Sequence, residues 1–437
     1  MTTERSFDEL NLWQRIFAEH WEAFGADYAR EHGRVPENWR ENVDRMLSCG
    51  DIAEGYYEYY CQDCGRTKKV GFTCKSRLCL RCFKVAMDDW LKQAKSVLFE
   101  GVVHRQVVLT LPKVVRPLVM AEEIFLKTYM DAGATAVKEL VEQWRPKQKI
   151  HVGIMAVLQL HGRAGNRNPH LHFVVSEGGL DQTKQWRNVN YFDTKKLRKK
   201  WQYHVITALK KAVRGTRYEA EWSGKLGSMF RKYPSGFDCD CMPEKGPVER
   251  LVIYLCKYIS SPPISIRRIE HYDGKNVTYR YKDHRRGEVR ETISAVDFIG
   301  RMIQHLPPKG FRMVRYYGIY ARPIREKIHA LVSDALGLLV RRAERMAQYF
   351  AGKRAHERCD QRQANASSQR QGSVSEEFIK RPMSCPHCGS TNLLLIRIWN
   401  KTSGVVYELI RDGLRDMPSP APKAQPMPFE VQLRFAF

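Results

Sequence analysis

The sequence holds no run of the roughly 18 uninterrupted apolar residues that a membrane span requires. It carries no Gly-rich Walker pattern, so no nucleotide cofactor is expected. No internal repeat appears, and no basic amphipathic helix stands apart as a membrane anchor would. The opening stretch MTTERSFDELNLWQ is acidic and helical in pattern and does not read as a signal peptide, which predicts a reducing compartment. Negative charge is the scarce sign: 48 Asp and Glu stand against 73 Lys and Arg, a net charge of +25 over 437 residues. An excess of this size, spread along the whole chain, points to phosphate-bearing partners rather than to a merely solvated surface. Apolar residues make up 43%, enough for two or three domains with real cores.

Residues 7–48 read as two helices broken near His32, Gly33 and Pro36. A turn-rich, basic, Cys-rich segment follows to about residue 83, then an amphipathic helix over 84–98. HRQVVLTLP (104–112) is a β-branched run ended by proline, a buried strand, and 118–145 has a helical pattern. HVGIMAVLQLH (151–161), GRAGNRNP (162–169) and HLHFVVS (170–176) read as a hairpin with a basic tip. Helices are expected over 193–213, 248–259 and 296–306, with a loop containing Gly, Pro and Cys before the second. NVTYRYKD and EVRETIS form a further hairpin. Residues 323–350 pattern as a long basic helix, and 359–382 as a Ser/Gln-rich linker. The expected division is 1–48 N-terminal helices, 49–98 zinc-binding domain, 99–322 catalytic domain, 323–358 basic helix, 359–382 linker and 383–437 Cys knuckle with a Pro-rich tail.

Twelve cysteines in a reducing compartment point to metal before disulfide. Cys61-x2-Cys64 and Cys79-x2-Cys82 are two thiolate pairs, and together they make a tetrahedral sulfur set for zinc. Cys61, Cys64, Cys79 and Cys82 are therefore the expected ligands, with Cys74 as substitute or neighbour. Cys385-x2-Cys388 has no evident second pair.

Strand alternation sends His170 and His172 to one face, with Leu171 into the core behind them. Two imidazoles one pleat apart can ligate a divalent ion. Gln159 and His161, across the hairpin, are the alternatives for a third ligand; Gln159 favours Mg or Mn, His161 softer metals. In VERLVIYLCKYIS (248–260), Val248, Leu251, Val252, Leu255 and Ile259 form an apolar stripe. Tyr254 and Tyr258 lie about 40° apart on its flank, while Arg250 and Lys257 face water. A phenol beside a divalent ion suits attack on a DNA phosphate, conserving bond energy in a phosphotyrosine ester without ATP. Lys257, Lys309 and Arg315 are candidate phosphate contacts. Trp186, Trp201, Phe311 and Tyr316 are expected mostly in the core rather than stacked on bases.

The ordered set CxxCG…SRLCLRC, VVLTLP, NPHLHFVV, YLCKYISSPPI, YRYKDHR and FIGRMIQHLPPKGFRMVRYYG resembles the rolling-circle insertion-sequence transposases of the HUH, two-tyrosine type. The likeness covers roughly residues 45–322. Leu78 and Leu80 stand where that family usually has His and Pro, so no histidine ligand is expected there. The resemblance implies an α+β fold: an HUH endonuclease domain with a central antiparallel sheet flanked by helices, preceded by a small zinc-binding domain. It implies nicking of single-stranded DNA at element ends through a 5′-phosphotyrosine, with structural Zn2+ and catalytic Mg2+ or Mn2+, in a bacterial cytoplasm at the nucleoid. His170 and His172 take the metal-ligand role, Gln159 the third, and Tyr254 and Tyr258 the nucleophiles. A rolling-circle replication initiator and a catalytically decayed zinc-dependent DNA-binding protein are the competing readings.

Overall fold

The computed structural model describes residues 10–82, 90, 92–94, 96–99, 102–144, 146–162, 164–189, 192–246, 264–283, 286–328, 330–337 and 383–409. In chain order the first elements are α1 (Leu12–His32), α2 (Glu37–Leu47), β1 (Gly55–Cys61), β2 (Thr67–Gly71), β3 (His104–Thr110) and α3 (Glu123–Trp144). There follow β4 (His151–His161), β5 (Arg167–Leu180), β6 (Trp186–Asn188), α4 (Thr194–Val213), α5 (Glu219–Lys232) and β7 (Cys239–Gly246). The remainder are β8 (Ile269–Tyr272), β9 (Asn276–Asp283), β10 (Gly287–Ser294), α6 (Ala295–Ile303), β11 (Val314–Gly318), β12 (Leu393–Asn400) and β13 (Gly404–Glu408). The described residues divide into two compact units, one within 1–49 and 73–333, the other within 50–72 and 334–419. The stretch 49–98, expected as one zinc domain, is therefore split between them.

The first unit is built on an antiparallel sheet in the order β11-β4-β5-β3-β7, with β6 beside β5. Leu109, Ile154, Ala156, Leu158, Leu171 and Phe173 project from one face into a core shared with α3, α4 and α5. The opposite face carries His104, Gln106, Gln159, His172 and Ser176, all buried. The helix expected at 248–259 lies outside the described residues. A second core gathers α1, α2, α6, β8 and β9 around Trp13, Phe17 and Phe298, and it also takes in Cys49, Leu78, Cys79 and Cys82. Helix α1 opens on a capping box, in which Asn11 accepts from the Gln14 N–H and the Gln14 side chain accepts from Asn11 N–H.

Several elements depart from the sequence reading. Helix α5 and strand β7 occupy what was expected to be a loop. Trp222, Leu226 and Met229 give α5 a stripe of helical spacing, and β7 owes its extended form to pairing with β3. The hairpin tip is shorter than expected, because β5 already begins at Arg167. In the second unit, β1, β2, β12 and β13 form a four-stranded sheet where only turns and a knuckle were read. The expected basic helix is present over 322–328 and 330–337, and its continuation and the linker 359–382 lie outside the described residues.

His104, at the start of β3, is fully buried with its Nε2 2.5 Å from the Tyr320 hydroxyl. Burial pushes its imidazole down to about 4. The unfolded chain, with an ordinary histidine near pKa 6.5, then binds the proton more readily. Stability from this group is complete above about pH 6.5 and falls as pH drops toward 4, by roughly 2 kcal/mol at pH 5. Urea midpoints at pH 7 and 5 should shift further apart in the natural protein than in His104→Gln; equal shifts would remove His104 from the acid sensitivity.

Candidate catalytic and metal sites

The hairpin of β4 and β5 carries the first site. Gln159 pairs with His170, and Val157 with His172, so the amide and the imidazoles share the face away from α3. Gln159 Oε1 lies 3.0 Å from His172 Nε2, while Gln159 Nε2 lies 3.2 Å from His161 Nε2. The His170 and His172 rings stand 4.8 Å apart, centre to centre. His170 Nδ1 donates to the Asn168 carbonyl at 2.7 Å, which leaves Nε2 as its lone-pair nitrogen. Gln106 Nε2 approaches His172 Nδ1 at 3.5 Å. Burial holds His172 down at about 3 and, by the same cause, lowers His170 and His161. At neutral pH all three are uncharged imidazoles, the form that binds a metal.

A register shift separates Gln159 from His161, the two alternatives for a third donor. His161 pairs with Arg167 and its ring lies 5.3 Å from that of His305, whose Nε2 donates to the Gly165 carbonyl at 2.7 Å. Among the described residues, no third His, Cys or carboxylate joins His170 and His172 closely enough to share an ion with them. The 3.0 Å between Gln159 Oε1 and His172 Nε2 suits adjacent ligands of an octahedral ion, for which metal–oxygen distances of about 2.1 Å give an edge near 3 Å. The donors present therefore fit a hard divalent ion. Tyr254, Tyr258 and Lys257 lie outside the described residues.

Two helices anchor this edge of the sheet from behind. The buried Tyr129 hydroxyl of α3 donates to the Pro169 carbonyl at 3.2 Å, and Trp201 Nε1 of α4 to the Thr110 carbonyl at 2.8 Å. A Cβ at Gly133 would meet Leu171 at 2.7 Å and Phe173 at 2.8 Å, so α3 approaches β5 as closely as only glycine allows.

Basic residues gather at the mouth of the hairpin. Lys113, Arg116, Pro117, Asn166 and Arg167 line a cleft of about 290 Å³. Arg116 donates through Nε to the Leu111 carbonyl at 3.0 Å, and its charge is near enough to lower the His170 imidazole further. Sequence reasoning missed this group, although LPKVVR and NRNP place it directly beside the two strands. Of the contacts expected instead, Lys309 is paired with Glu41 at 2.7 Å, and Arg315 lies 3.9 Å from Asp131 and over the Phe311 ring. Trp186, Trp201 and Phe311 are buried, as core residues are.

The cysteines assemble differently from the single set expected. Cys61 and Cys64 do not join Cys79 and Cys82. Cys79 and Cys82 are instead completed by Cys49 and Cys74, with all four sulfurs within 4.8 Å of one another. Cys82 Sγ is 3.5 Å from both Cys49 Sγ and Cys74 Sγ. A tetrahedral ZnS4 centre with bonds of about 2.3 Å has edges near 3.8 Å, whereas a disulfide needs about 2.05 Å. The thiol of Cys74, then those of Cys79 and Cys82, hold Cys49 well below the usual thiol range, and the same contact pushes Cys74 up. The donor set fits zinc. Leu78 is buried in the adjoining core and Leu80 is partly buried against it, so both act as packing side chains around Cys79. Cys74, expected as a substitute or neighbour, belongs to this set of four, and so does Cys49, which stands close upstream of the first Cys-x-x-Cys pair.

Two family models match successive stretches of the chain: "Transposase zinc-binding domain" over residues 16–111 and "Putative transposase" over 153–327. These likenesses support a transposase function with a zinc-binding domain. Two curated relatives share the likeness. The chain is 28% identical over 320 residues to the transposase for insertion sequence element IS801 of Pseudomonas savastanoi pv. phaseolicola, covering 70% of this chain and 76% of the relative. It is 25% identical over 333 residues to "Putative transposase y4qJ" of Sinorhizobium fredii (strain NBRC 101917 / NGR234), covering 72% and 83% respectively. No solved structure matches. The second matched stretch takes in Gln159, His170, His172, Tyr254 and Tyr258, and no described helix is long and apolar enough to cross a membrane.

Replacing Gly133 by Leu should force α3 away from Leu171 and Phe173 and cost about 1–3 kcal/mol. Thermal unfolding reads this directly; a variant as stable as the natural protein would mean that the close approach is not required.

Proposed function

We propose that this chain is a transposase that nicks single-stranded DNA at the ends of an insertion sequence by the HUH, two-tyrosine route, in the bacterial cytoplasm at the nucleoid. The observation that carries the reading is the juxtaposition of Gln159 Oε1 with the neutral imidazole of His172, one pleat from His170. His170, His172 and Gln159 would hold Mg2+ or Mn2+, which would supply a Lewis acid for a non-bridging phosphate oxygen. Lys113, Arg116 and Arg167 seat the neighbouring DNA phosphates in the cleft beside it. The Tyr254 or Tyr258 hydroxyl attacks phosphorus and gives up its proton. The bond from phosphorus to the 3′-oxygen breaks, and that oxygen leaves as a protonated 3′-hydroxyl. The DNA 5′ end stays on the enzyme as a phosphotyrosine ester, whose retained bond energy allows rejoining without ATP. With two tyrosines, one holds the first cut end while the other accepts the second strand. Likeness to two transposases favours this reading over a replication initiator.

Incubating the full chain and Mn2+ with a single-stranded oligonucleotide of the element end should give a covalent adduct on a denaturing gel. Joint substitution Tyr254→Phe and Tyr258→Phe should abolish it, and an adduct that persists would assign the nucleophile elsewhere. His170→Ala should abolish the adduct and leave DNA affinity within a few fold; loss of both together would make His170 a folding residue.

The basic cleft has a separate readout. Arg116→Ala combined with Arg167→Ala should weaken single-strand binding at least tenfold. It should also reduce the slope of log affinity against log salt by about 1.4, the value for two lost phosphate contacts. An unchanged slope would clear both residues of phosphate contact.

A further inference from the structure

We infer that Cys61, Cys64, Cys385 and Cys388 form a second zinc centre, a ribbon assembled from two segments far apart in the chain. Their four sulfurs lie within 4.8 Å of one another, with Cys61 Sγ 3.6 Å from Cys388 Sγ and Cys64 Sγ 3.6 Å from Cys385 Sγ. These are tetrahedral-edge distances for zinc–thiolate sites and far too long for a disulfide.

The two halves are built alike. Each is a Cys-x-x-Cys-Gly turn, Cys61 to Gly65 and Cys385 to Gly389. In the first turn the Gly65 N–H donates to the Cys61 carbonyl at 2.9 Å, and in the second the Gly389 N–H donates to the Cys385 carbonyl at 2.9 Å. Each first cysteine then donates its own N–H five residues on, Cys61 to Arg66 at 2.8 Å and Cys385 to Ser390 at 2.7 Å. Both glycines adopt positive φ, 68° and 76°, which closes the turn and turns both thiolates to one point.

Contacts around the sulfurs hold the two turns face to face. Asp63 accepts from the Ser390 hydroxyl and from Asn392 Nδ2, Lys68 donates to the Ser384 carbonyl at 3.0 Å, and β1 pairs with β12 from Cys61 opposite Leu393. Every residue of β12 is only half-buried, so the sheet has little apolar burial to hold it closed. The centre is therefore a structural staple: four thiolates close the coordination sphere, and the metal binds the segment after residue 383 to the segment before residue 72. Cys61 and Cys64 alone supply only two ligands, so a chain ending before the C-terminal knuckle carries one zinc and not two. This inference rests on the sulfur geometry and not on the nicking reaction.

The purified protein should hold two equivalents of zinc by metal analysis. Cys385→Ser with Cys388→Ser should lose one equivalent and keep the other, and Cys79→Ser with Cys82→Ser should do the reverse. Because zinc kept at the untouched centre reports that the chain still folds, each pair of substitutions controls for the other. A natural protein with one equivalent, or a Cys385→Ser, Cys388→Ser variant that retains two, overturns the proposal. Isotope-coded alkylation gives an independent readout: labelling of Cys385 and Cys388 should rise at least tenfold in Cys61→Ser with Cys64→Ser. Labelling unchanged by loss of Cys61 and Cys64 would mean that the four sulfurs share no ion.

Discussion

The pleat of β5 is the constraint on which the candidate active site depends. Leu171 and Phe173 are pinned under α3 at a point where Gly133 leaves no room for another side chain. With those residues committed to the core, His170 and His172 can only emerge on the opposite face, beside Gln159. A slip of one residue would exchange the two sets and bury the imidazoles among leucines. The same packing makes the histidines useful, because burial keeps them neutral at the pH where a metal must compete with protons. Tyr129 and Trp201 secure the strand ends from behind through backbone carbonyls and so add stiffness without entering the site.

Sulfur does a different kind of work in each unit. Cys49, Cys74, Cys79 and Cys82 lie against a core of tryptophan and phenylalanine, so metal and apolar packing support one another there. Among the described residues the sheet of β1, β2, β12 and β13 has no comparable core, and its closure relies on thiolates and on polar contacts around Asp63. A metal suits such a segment, since its binding free energy is folding free energy.

Much of the first unit was legible from local pattern. The break at His32 and Gly33, the strand HRQVVLTLP, the helix over 193–213 and the two-residue alternation of HLHFVV were each written in a short window. What failed to read locally was pairing between distant segments. CDCMP became β7 only because β3 offered an edge, and LLLIRIWN became β12 only beside β1. The cysteines erred for the same reason: Cys61 and Cys64 were matched with the nearest pair in sequence, yet loop-closure cost grows so slowly with length that a pair over 320 residues away can compete. Gln159 against His161 was open because both share a face in a regular strand, and the register shift between them is not visible in composition. Lys309 was a candidate phosphate contact, but Glu41 meets it across the fold, while Arg116 drew no notice although it stands beside His170.

By itself the sequence determined the residue types and their local periods: which strand carries imidazoles, which turns carry thiolates and that the chain is strongly basic. These follow from chemistry and from repeats of 2 and 3.6 residues, which need no partner segment. Only the tertiary structure decided which thiolates meet, which amide oxygen reaches His172 and which basic side chains remain beside the hairpin. Those outcomes depend on contacts between segments far apart in the chain, and no short window contains both members of such a contact.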